Sequence, residues 1–232
     1  MTKTIKLSQD TLAVLKVFAS INNSLAFKEG NELKTLNESG SIICTATVAE
    51  HFPIDMSVYE LNKLLSILSL PSFNGAELVF EDGVDSHMTI KSTSSSANIK
   101  YFFSSAEFAK HPGKTINLPR VDVEFVLTQD VIDNFQKTAA VLGHKNIKVK
   151  VKDKQLVLIA SADGGIDSSN DFTLSMGDND AEDFDATIKL ENLKLVTGDY
   201  TVQMLKKDGR GISRFEHTTK KIVTFIALEL DA

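Results

Sequence analysis

Residues and segments that mark several common protein classes are scarce in this chain of 232 residues. It has a single cysteine, Cys44, so no disulfide can form within the chain, which fits a reducing compartment. No stretch approaches the roughly 18 apolar residues that a membrane span needs. The apolar run near the N-terminus is interrupted by Lys16, and no small-residue cleavage site follows it, which argues against a signal peptide. We therefore expect a soluble, intracellular protein.

Patterns that carry catalysis or bind metals are also missing. The five histidines have no metal-ligand spacing, and no Gly-x-Ser-x-Gly elbow occurs. Gly113-Lys114-Thr115 matches the end of a phosphate-binding loop, but that loop needs a glycine where this chain has Phe108. The sequence thus predicts no catalytic residue, no metal site and no cofactor. An enzyme whose site is assembled from distant loops is the least favoured alternative.

The net charge of −6 argues against a protein that holds nucleic acid by charge alone. The charge is unevenly distributed, however. Residues 163–185 hold eight acids and no lysine or arginine, and removing those eight charges from −6 leaves +2 for the rest of the chain. We interpret the acidic stretch as a surface-loop insertion in the second half.

An internal repeat is the most informative feature. Leu7-Ser8-Gln9-Asp10 recurs as Leu127-Thr128-Gln129-Asp130, and the residues after each copy have the apolar spacing of a helix. Ser8 and Thr128 are suitable N-cap residues, and an aspartate in the first turn favours the helix dipole. The repeat predicts that the two halves of the chain have similar folds.

A second pair of similar segments, 54–58 and 184–188, predicts a short strand in each half that leads into another helix. The expected helices are Tyr59 to Ser69, which is clearly amphipathic, and Leu190 to Val196, which is shorter and less regular. The remaining sequence favours strands, with turn signals such as Asp82-Gly83 between them. Predicted strands include 42–48, 77–80, 88–91, 99–103, 147–151, 156–160, 201–205 and 222–230.

Helices embedded among meandering strands indicate an α+β fold class rather than parallel α/β. The repeat and the Pro112-Gly113 turn divide the chain into three parts. We predict a first domain at 1–105, a linker at 106–119, and a second, similar domain at 120–232.

Each of the four predicted helices carries one lysine on or near its polar side. Isolated surface lysines usually serve solvation only. Four of them at related positions would instead form a shallow basic surface for loose, sequence-independent phosphate contact. The candidate DNA-facing residues are Lys16, Lys63, Lys137 and Lys194.

A separate lysine stripe has two interpretations. Lys148, Lys150 and Lys152 alternate with the apolar residues of a predicted strand. The favoured interpretation is a strand with one buried face and lysines on its solvated face. The alternative is a basic stripe that binds phosphates.

Two segments resemble the DNA sliding clamps of T-even-type bacteriophages, which are DNA polymerase processivity factors. The first is Leu7-Ser8-Gln9-Asp10-Thr11 with Leu15-Lys16 and Phe18-Ala19-Ser20-Ile21-Asn22. The second is Tyr59-Glu60-Leu61-Asn62 with Ile67-Leu68-Ser69-Leu70. Length agrees along the whole chain, as do Leu174-Ser175-Met176-Gly177-Asp178 and the terminal strand near Ala227-Leu228-Glu229. The resemblance is closer in the first domain than in the second.

The resemblance implies a homotrimeric ring with outer antiparallel sheets and inner helices around duplex DNA, without catalytic activity. It implies loading by a clamp-loader ATPase, tethering of the replicative DNA polymerase, and a role with late transcription factors and RNA polymerase, in the cytoplasm of the infected bacterial host. Partner peptides would bind near the linker, and the candidate residues are Ile116, Leu118, Pro119 and Ile226. Glu60, Asp133 and Glu191 lie near the lysine-bearing faces and would make the hole less positive. The alternative function is a two-domain protein-interaction module that does not encircle DNA.

Overall fold

A computed structural model describes residues 2–109, 112–113, 116–161 and 170–230. Lys114 and Thr115 of the glycine-lysine-threonine turn, and Asp163 and Asp167 of the acidic stretch, lie outside the described residues. The described part of the acidic stretch is not a loop throughout, because Phe172–Asp178 forms a strand. The chain forms two compact units, 1–114 and 115–232, and their division falls within the stretch predicted as a linker.

The first unit contains two helices and eight strands among the described residues. Its antiparallel sheet has the strand order β1-β6-β7-β8, while β3 pairs with β4 and β2 pairs with β5. A single 3₁₀ turn, Pro71–Phe73, follows the second helix. The elements are β1 (Lys3–Lys6), α1 (Gln9–Ile21), β2 (Leu25–Phe27), β3 (Gly30–Leu36), β4 (Ile42–Phe52), β5 (Met56–Val58), α2 (Leu61–Ser69), β6 (Glu77–Phe80), β7 (His87–Lys91) and β8 (Asn98–Phe102).

The second unit contains one helix and eight strands within its described part. One antiparallel sheet has the order β12-β11-β10-β13, and β16, β15, β14 and β9 pair in that order. The elements are β9 (Val123–Leu127), α3 (Gln129–Leu142), β10 (Asn146–Lys152), β11 (Gln155–Ser161), β12 (Phe172–Asp178), β13 (Phe184–Lys189), β14 (Tyr200–Lys207), β15 (Arg210–His217) and β16 (Ile222–Ala227).

The repeated sequence segments begin helices α1 and α3 in the same way. The Ser8 hydroxyl oxygen accepts the Thr11 N–H at 3.2 Å, and the Thr128 hydroxyl oxygen accepts the Val131 N–H at 3.4 Å. At the start of each helix, a carboxylate from a distant segment accepts a second hydrogen bond. Glu50 of β4 accepts the Ser8 N–H, and Asp199 accepts the Gln129 N–H. The start of α1 is therefore fixed by strand β4, and the start of α3 is fixed by the residue that precedes β14.

Each unit has its own core between helix and sheets. Helix α1 packs on β3, β4 and α2, and α3 packs on β11. In the first unit, the largest fully buried side chains include Phe18, Phe27 and Phe52. In the second unit, the buried cluster includes Phe135 of α3 and Phe215 of β15. The apolar face of each helix is thus held inward, which leaves its polar face exposed.

The expected fourth helix at Leu190 to Val196 is wrong: a single 3₁₀ turn, Leu190–Asn192, stands there. In the first unit, the amides that start α2 are capped by Asn23, whose backbone and side-chain oxygens accept the Leu61 and Asn62 N–H groups. In the second unit, Lys145 supplies only its backbone oxygen, to the Leu190 N–H at 2.8 Å. A lysine side chain has no acceptor, so it cannot repeat the second cap.

Candidate nucleic-acid interface

Helix α1 places Lys16 on an exposed stripe with Gln9 and Ser20, and the half-buried Ala13 lies between them. The opposite face of the helix, including Leu15 and Phe18, is buried, so the helix cannot rotate to hide the lysine. Within the described ranges, no carboxylate lies within 4.0 Å of the Lys16 ammonium group. Lys16 is therefore a cation available to an external anion.

Helices α2 and α3 carry lysines that already have weak partners. The Lys63 ammonium lies 3.3 Å from Glu60, and the Lys137 ammonium lies 3.6 Å from Asp133. The lysine side chains are 65% and 78% exposed. Exposed pairs of this kind stabilise a protein by about 0–1 kcal/mol, so a phosphate can displace the carboxylate at little cost. We call Lys16, Lys63 and Lys137 the helix lysines.

The repeat does not place Lys16 and Lys137 at equivalent positions. Lys16 is the eighth residue of α1 and Lys137 is the ninth of α3, so the position that matches Lys16 is held by Gln136. One residue corresponds to about 100° around a helix and about 1.5 Å along it. The two lysines occupy the same half of their helices but point in different directions.

The fourth sequence candidate differs from the other three. Lys194 follows the 3₁₀ turn rather than standing on a helix, and it is half-buried. Its backbone N–H donates to the Asn192 oxygen at 2.8 Å. The structure therefore does not give Lys194 the exposed helical position that the sequence predicts.

The residues predicted to bind a partner peptide fall into two groups. Ile116 and Leu118 are half-buried and Pro119 is exposed. Ile226 is fully buried in the core of the second unit. Its backbone oxygen accepts the Ser213 hydroxyl at 2.9 Å, which holds β16 to β15. The side chain of Ile226 thus supports the fold and is not presented on the surface.

An aromatic groove that sequence reasoning missed lies between α2 and β8. Its volume is about 340 Å³, and its lining includes Tyr59, Ile67, Ile99 and Tyr101. Partial burial, and then the nearby Glu60 carboxylate, raises the pKa of Tyr101 above its ordinary value of 10.0. The ring of Phe108 packs edge-on against Tyr59, with centroids 5.6 Å apart. Tyr59 and Tyr101 are 42 positions apart in the chain, so no local sequence pattern indicates that they share a site. We call this site the α2–β8 groove.

Family models match both halves of the chain. A DNA polymerase processivity factor model matches residues 8–107, and a model for the C-terminal part of the gp45 sliding clamp matches residues 124–230. The chain belongs to the sliding clamps. It is accordingly a DNA polymerase processivity factor of the kind found in T4-like phages. Within the described residues, no cluster of histidine, cysteine, aspartate or glutamate is arranged to hold a metal ion.

Curated relatives of this sliding clamp span almost its whole length. The sliding clamp of Vibrio phage KVP40 is 29% identical over 216 residues, which are 91% of this chain and 94% of the relative. The sliding clamp of Enterobacteria phage T4 is 27% identical over 236 residues, at 98% coverage of both chains. Among the described helices of this clamp, none is long and apolar enough to cross a membrane.

Solved structures agree on the clamp fold at low sequence identity. The PCNA2–PCNA3 complex from Sulfolobus tokodaii matches with a TM-score of 0.70 at 12% identity. The PCNA of A. fulgidus, solved with the C-terminal region of FEN-1, matches equally well, and both matches cover 100% of each chain. These structures thus share the fold of this chain at only 12% sequence identity.

Proposed function

We propose that three copies of this clamp close into a ring around duplex DNA and tether the replicative polymerase to its template. The observation that carries the proposal is the set of helix lysines. They stand exposed on helical faces of a chain whose net charge is −6. A local excess of cations on such a chain favours phosphate contact at that surface only.

Weak contacts suit a protein that must slide. A ring is retained by topology, so its contacts need only centre the duplex. Lys63 and Lys137 would exchange a carboxylate for a phosphate. Lys16 adds a cation that has no carboxylate within 4.0 Å in the described part of the chain. The DNA-facing set comprises Lys16, Lys63 and Lys137, with Lys194 beside the 3₁₀ turn as a weaker member. Because none of these contacts reads a base, movement along the sequence meets little resistance.

Open sheet edges support ring closure. Strand β8 lies at the edge of its sheet in the first unit, and β12 lies at the edge of its sheet in the second. Neither strand has a fully buried residue. An edge strand presents unpaired backbone groups to any second chain that can extend the sheet. Pairing of β8 with β12 of another copy would satisfy both edges.

Exposed apolar side chains flank the same two edges. The α2–β8 groove adjoins β8, and Val141, at the end of α3, is 85% exposed. Helix α3 also contacts the other edge strand, since the rings of Phe135 and Phe172 are 5.6 Å apart. Burial of Val141 and Leu142 in the groove of a neighbouring copy would remove apolar surface on both sides from water.

The partners follow from this role. A clamp-loader ATPase would open the ring, and the polymerase would dock an apolar peptide beside Ile116, Leu118 and Pro119. The FEN-1 segment in the archaeal PCNA structure shows that a clamp of this fold accommodates a partner's C-terminal region. Late transcription factors and RNA polymerase would use the same surface. The clamp itself would catalyse nothing and would act in the cytoplasm of the infected bacterial host.

Charge reversal tests the helix lysines. The double variant Lys16→Glu with Lys137→Glu should shorten the products of processive synthesis by the loaded polymerase, while circular dichroism stays unchanged. The matched control is Lys3→Glu with Lys207→Glu, which changes the same charge at exposed positions outside the helices. Product lengths that are equal for the two double variants would refute the assignment of the helix lysines.

Native mass tests ring closure. Sedimentation over a range of concentrations should show a trimer that dissociates on dilution. Ile99→Glu, in the α2–β8 groove, should shift the population to monomers, while Thr4→Glu, exposed on β1, should not. A monomer that persists at high concentration would overturn the ring and favour the protein-interaction module.

A further inference from the structure

The solvent face of the β1-β6-β7-β8 sheet carries a net positive charge. Strand register aligns Lys6 with Glu77, Glu77 with Lys91, and Thr89 with Lys100. The intervening residues, such as Leu78 and Ile90, point into the core. Three lysines and one glutamate therefore share this face. Among the described residues, none of the three lysines has a carboxylate within 4.0 Å.

An exposed aromatic ring lies on the same face. Phe102 is 64% exposed, although large apolar side chains are usually buried. The Lys100 ammonium lies 5.4 Å from the centre of its ring, and the His87 ring packs against it at 5.4 Å. These neighbours hold the ring while leaving much of it open to solvent. We call Lys6, Lys91, Lys100 and Phe102 the basic sheet face.

We propose that the basic sheet face binds single-stranded nucleic acid. The lysines would contact phosphates, and Phe102 would stack on a base, which is how proteins hold single strands without reading sequence. From strand geometry, Lys91, Lys100 and Phe102 follow a path of about 15 Å, room for a short run of nucleotides. In a duplex the bases are stacked inside the double helix and cannot contact the Phe102 ring. The combination of an exposed ring and lysines therefore favours a single strand over a duplex.

The surrounding charges set the direction of the path. Glu77 is the one acid on the face itself, between Lys6 and Lys91. Glu81, Asp82 and Asp85 lie in the turn between β6 and β7, beyond the His87 end of the sheet. A strand stacked on Phe102 would therefore continue over Lys100 and Lys91, away from these carboxylates.

The probe is a fluorescein-labelled oligothymidylate, measured by fluorescence anisotropy as salt is varied. Three phosphate contacts predict a slope of log K against log salt of about −2, since each contributes about −0.7. Lys6→Gln with Lys91→Gln should reduce the slope to about −0.7. The control pair, Lys3→Gln with Lys207→Gln, should leave it unchanged.

The aromatic contact has its own test. Phe102→Ala should weaken binding roughly 5- to 150-fold, the range for loss of one base-stacking contact, without changing the slope. Phe102→Tyr should retain affinity, which separates stacking from a general disturbance of β8. Equal affinity of the alanine variant and the unmodified chain would overturn the proposal.

Three further results would also overturn it. Loss of binding in Lys16→Gln with Lys137→Gln would mean that the strand passes along the helix lysines instead. Equal competition by a blunt duplex would mean that the ring of Phe102 is unused. Equal competition by polyglutamate would assign the face to an acidic peptide. Lys100 and Phe102 also line the α2–β8 groove, whereas Lys6 and Lys91 lie outside it. The pair Lys6→Gln with Lys91→Gln therefore separates this proposal from the proposed ring, because it should weaken nucleic-acid binding without changing the native mass.

Discussion

Glu50 joins β4 to the first turn of α1, and its replacement by glutamine should loosen the helix that carries Lys16. Its carboxylate accepts the Ser8 N–H and the Thr11 hydroxyl. Hydrogen bonds to a charged group contribute about 1.5–3 kcal/mol. Glutamine keeps one acceptor oxygen and the site is partly exposed, so we expect Glu50→Gln to cost about 1 kcal/mol at neutral pH.

The pH dependence of this effect has a definite sign. Partial burial alone would raise the pKa of Glu50, but the hydrogen bonds from Thr11 and Ser8 outweigh it and lower the pKa from its ordinary value of 4.5. As the pH falls, the unfolded chain therefore takes up the proton first. The stabilisation is complete above pH 4.5 and is lost as the pH falls through the lowered value. The difference between Glu50→Gln and the unmodified chain should shrink on acidification.

Hydrogen exchange of peptides that cover residues 8–21 measures this locally. A loss of 1 kcal/mol corresponds to about five-fold faster exchange of the α1 amides. At each pH, the exchange rates of the variant and of the unmodified chain are compared, so that the intrinsic exchange rates cancel. Glu38→Gln, in the exposed turn before β4, is the matched control. Unchanged exchange at neutral pH, or a difference that persists undiminished in acid, would refute the reasoning.

Three other predictions concern single residues. Gly198→Ala should cost the second unit about 2–4 kcal/mol in urea unfolding, because the added Cβ would fall 2.3 Å from the His217 ring at a φ of +145°, while Gly113→Ala should be neutral. Ile226→Ala should cost about 2–5 kcal/mol, since the side chain is fully buried, and stability equal to that of Pro119→Ala would contradict its place in the core. Glu60→Gln should lower the pKa of Tyr101 towards 10.0 in an ultraviolet titration of the phenol, and an unchanged midpoint would exclude the charge as a cause.

The repeat and its capping residues were sufficient to predict α1 and α3. Ser8 and Thr128 are both the N-cap residues that the sequence indicates, and apolar spacing correctly predicts burial of Phe18 and Phe135. The same spacing also predicts burial of Leu142 at the end of α3, which is wrong because that side chain is exposed. Residues that are close in sequence determine these features, so a single sequence is sufficient to predict them. Strands β3 and β15 are not among the strands that the sequence predicts. Their sequences are mainly polar and charged, and they are strands because a neighbour pairs with them.

Features that depend on distant residues could not be predicted. The helix expected after Leu190 fails because its cap would have to come from the turn near Lys145, more than forty positions earlier in the chain. Ile226 was assigned to a partner-peptide site from the resemblance, but sheet pairing directs its side chain into the core. The α2–β8 groove combines Tyr59 with residues about forty positions later, which no local pattern joins.

Asn23 caps the start of α2 in the first unit, whereas Lys145 holds the corresponding place in the second unit and cannot form the same cap. The two halves of the duplication are therefore unequal. Each chain has two helices in its first unit and one in the described part of its second. A closed trimer would consequently have threefold symmetry only, although it is built from six similar domains. The two domains are not interchangeable parts. A chain assembled from two first domains would present Lys16 and Lys63 twice and would lack the β12 edge that the proposed ring closure needs.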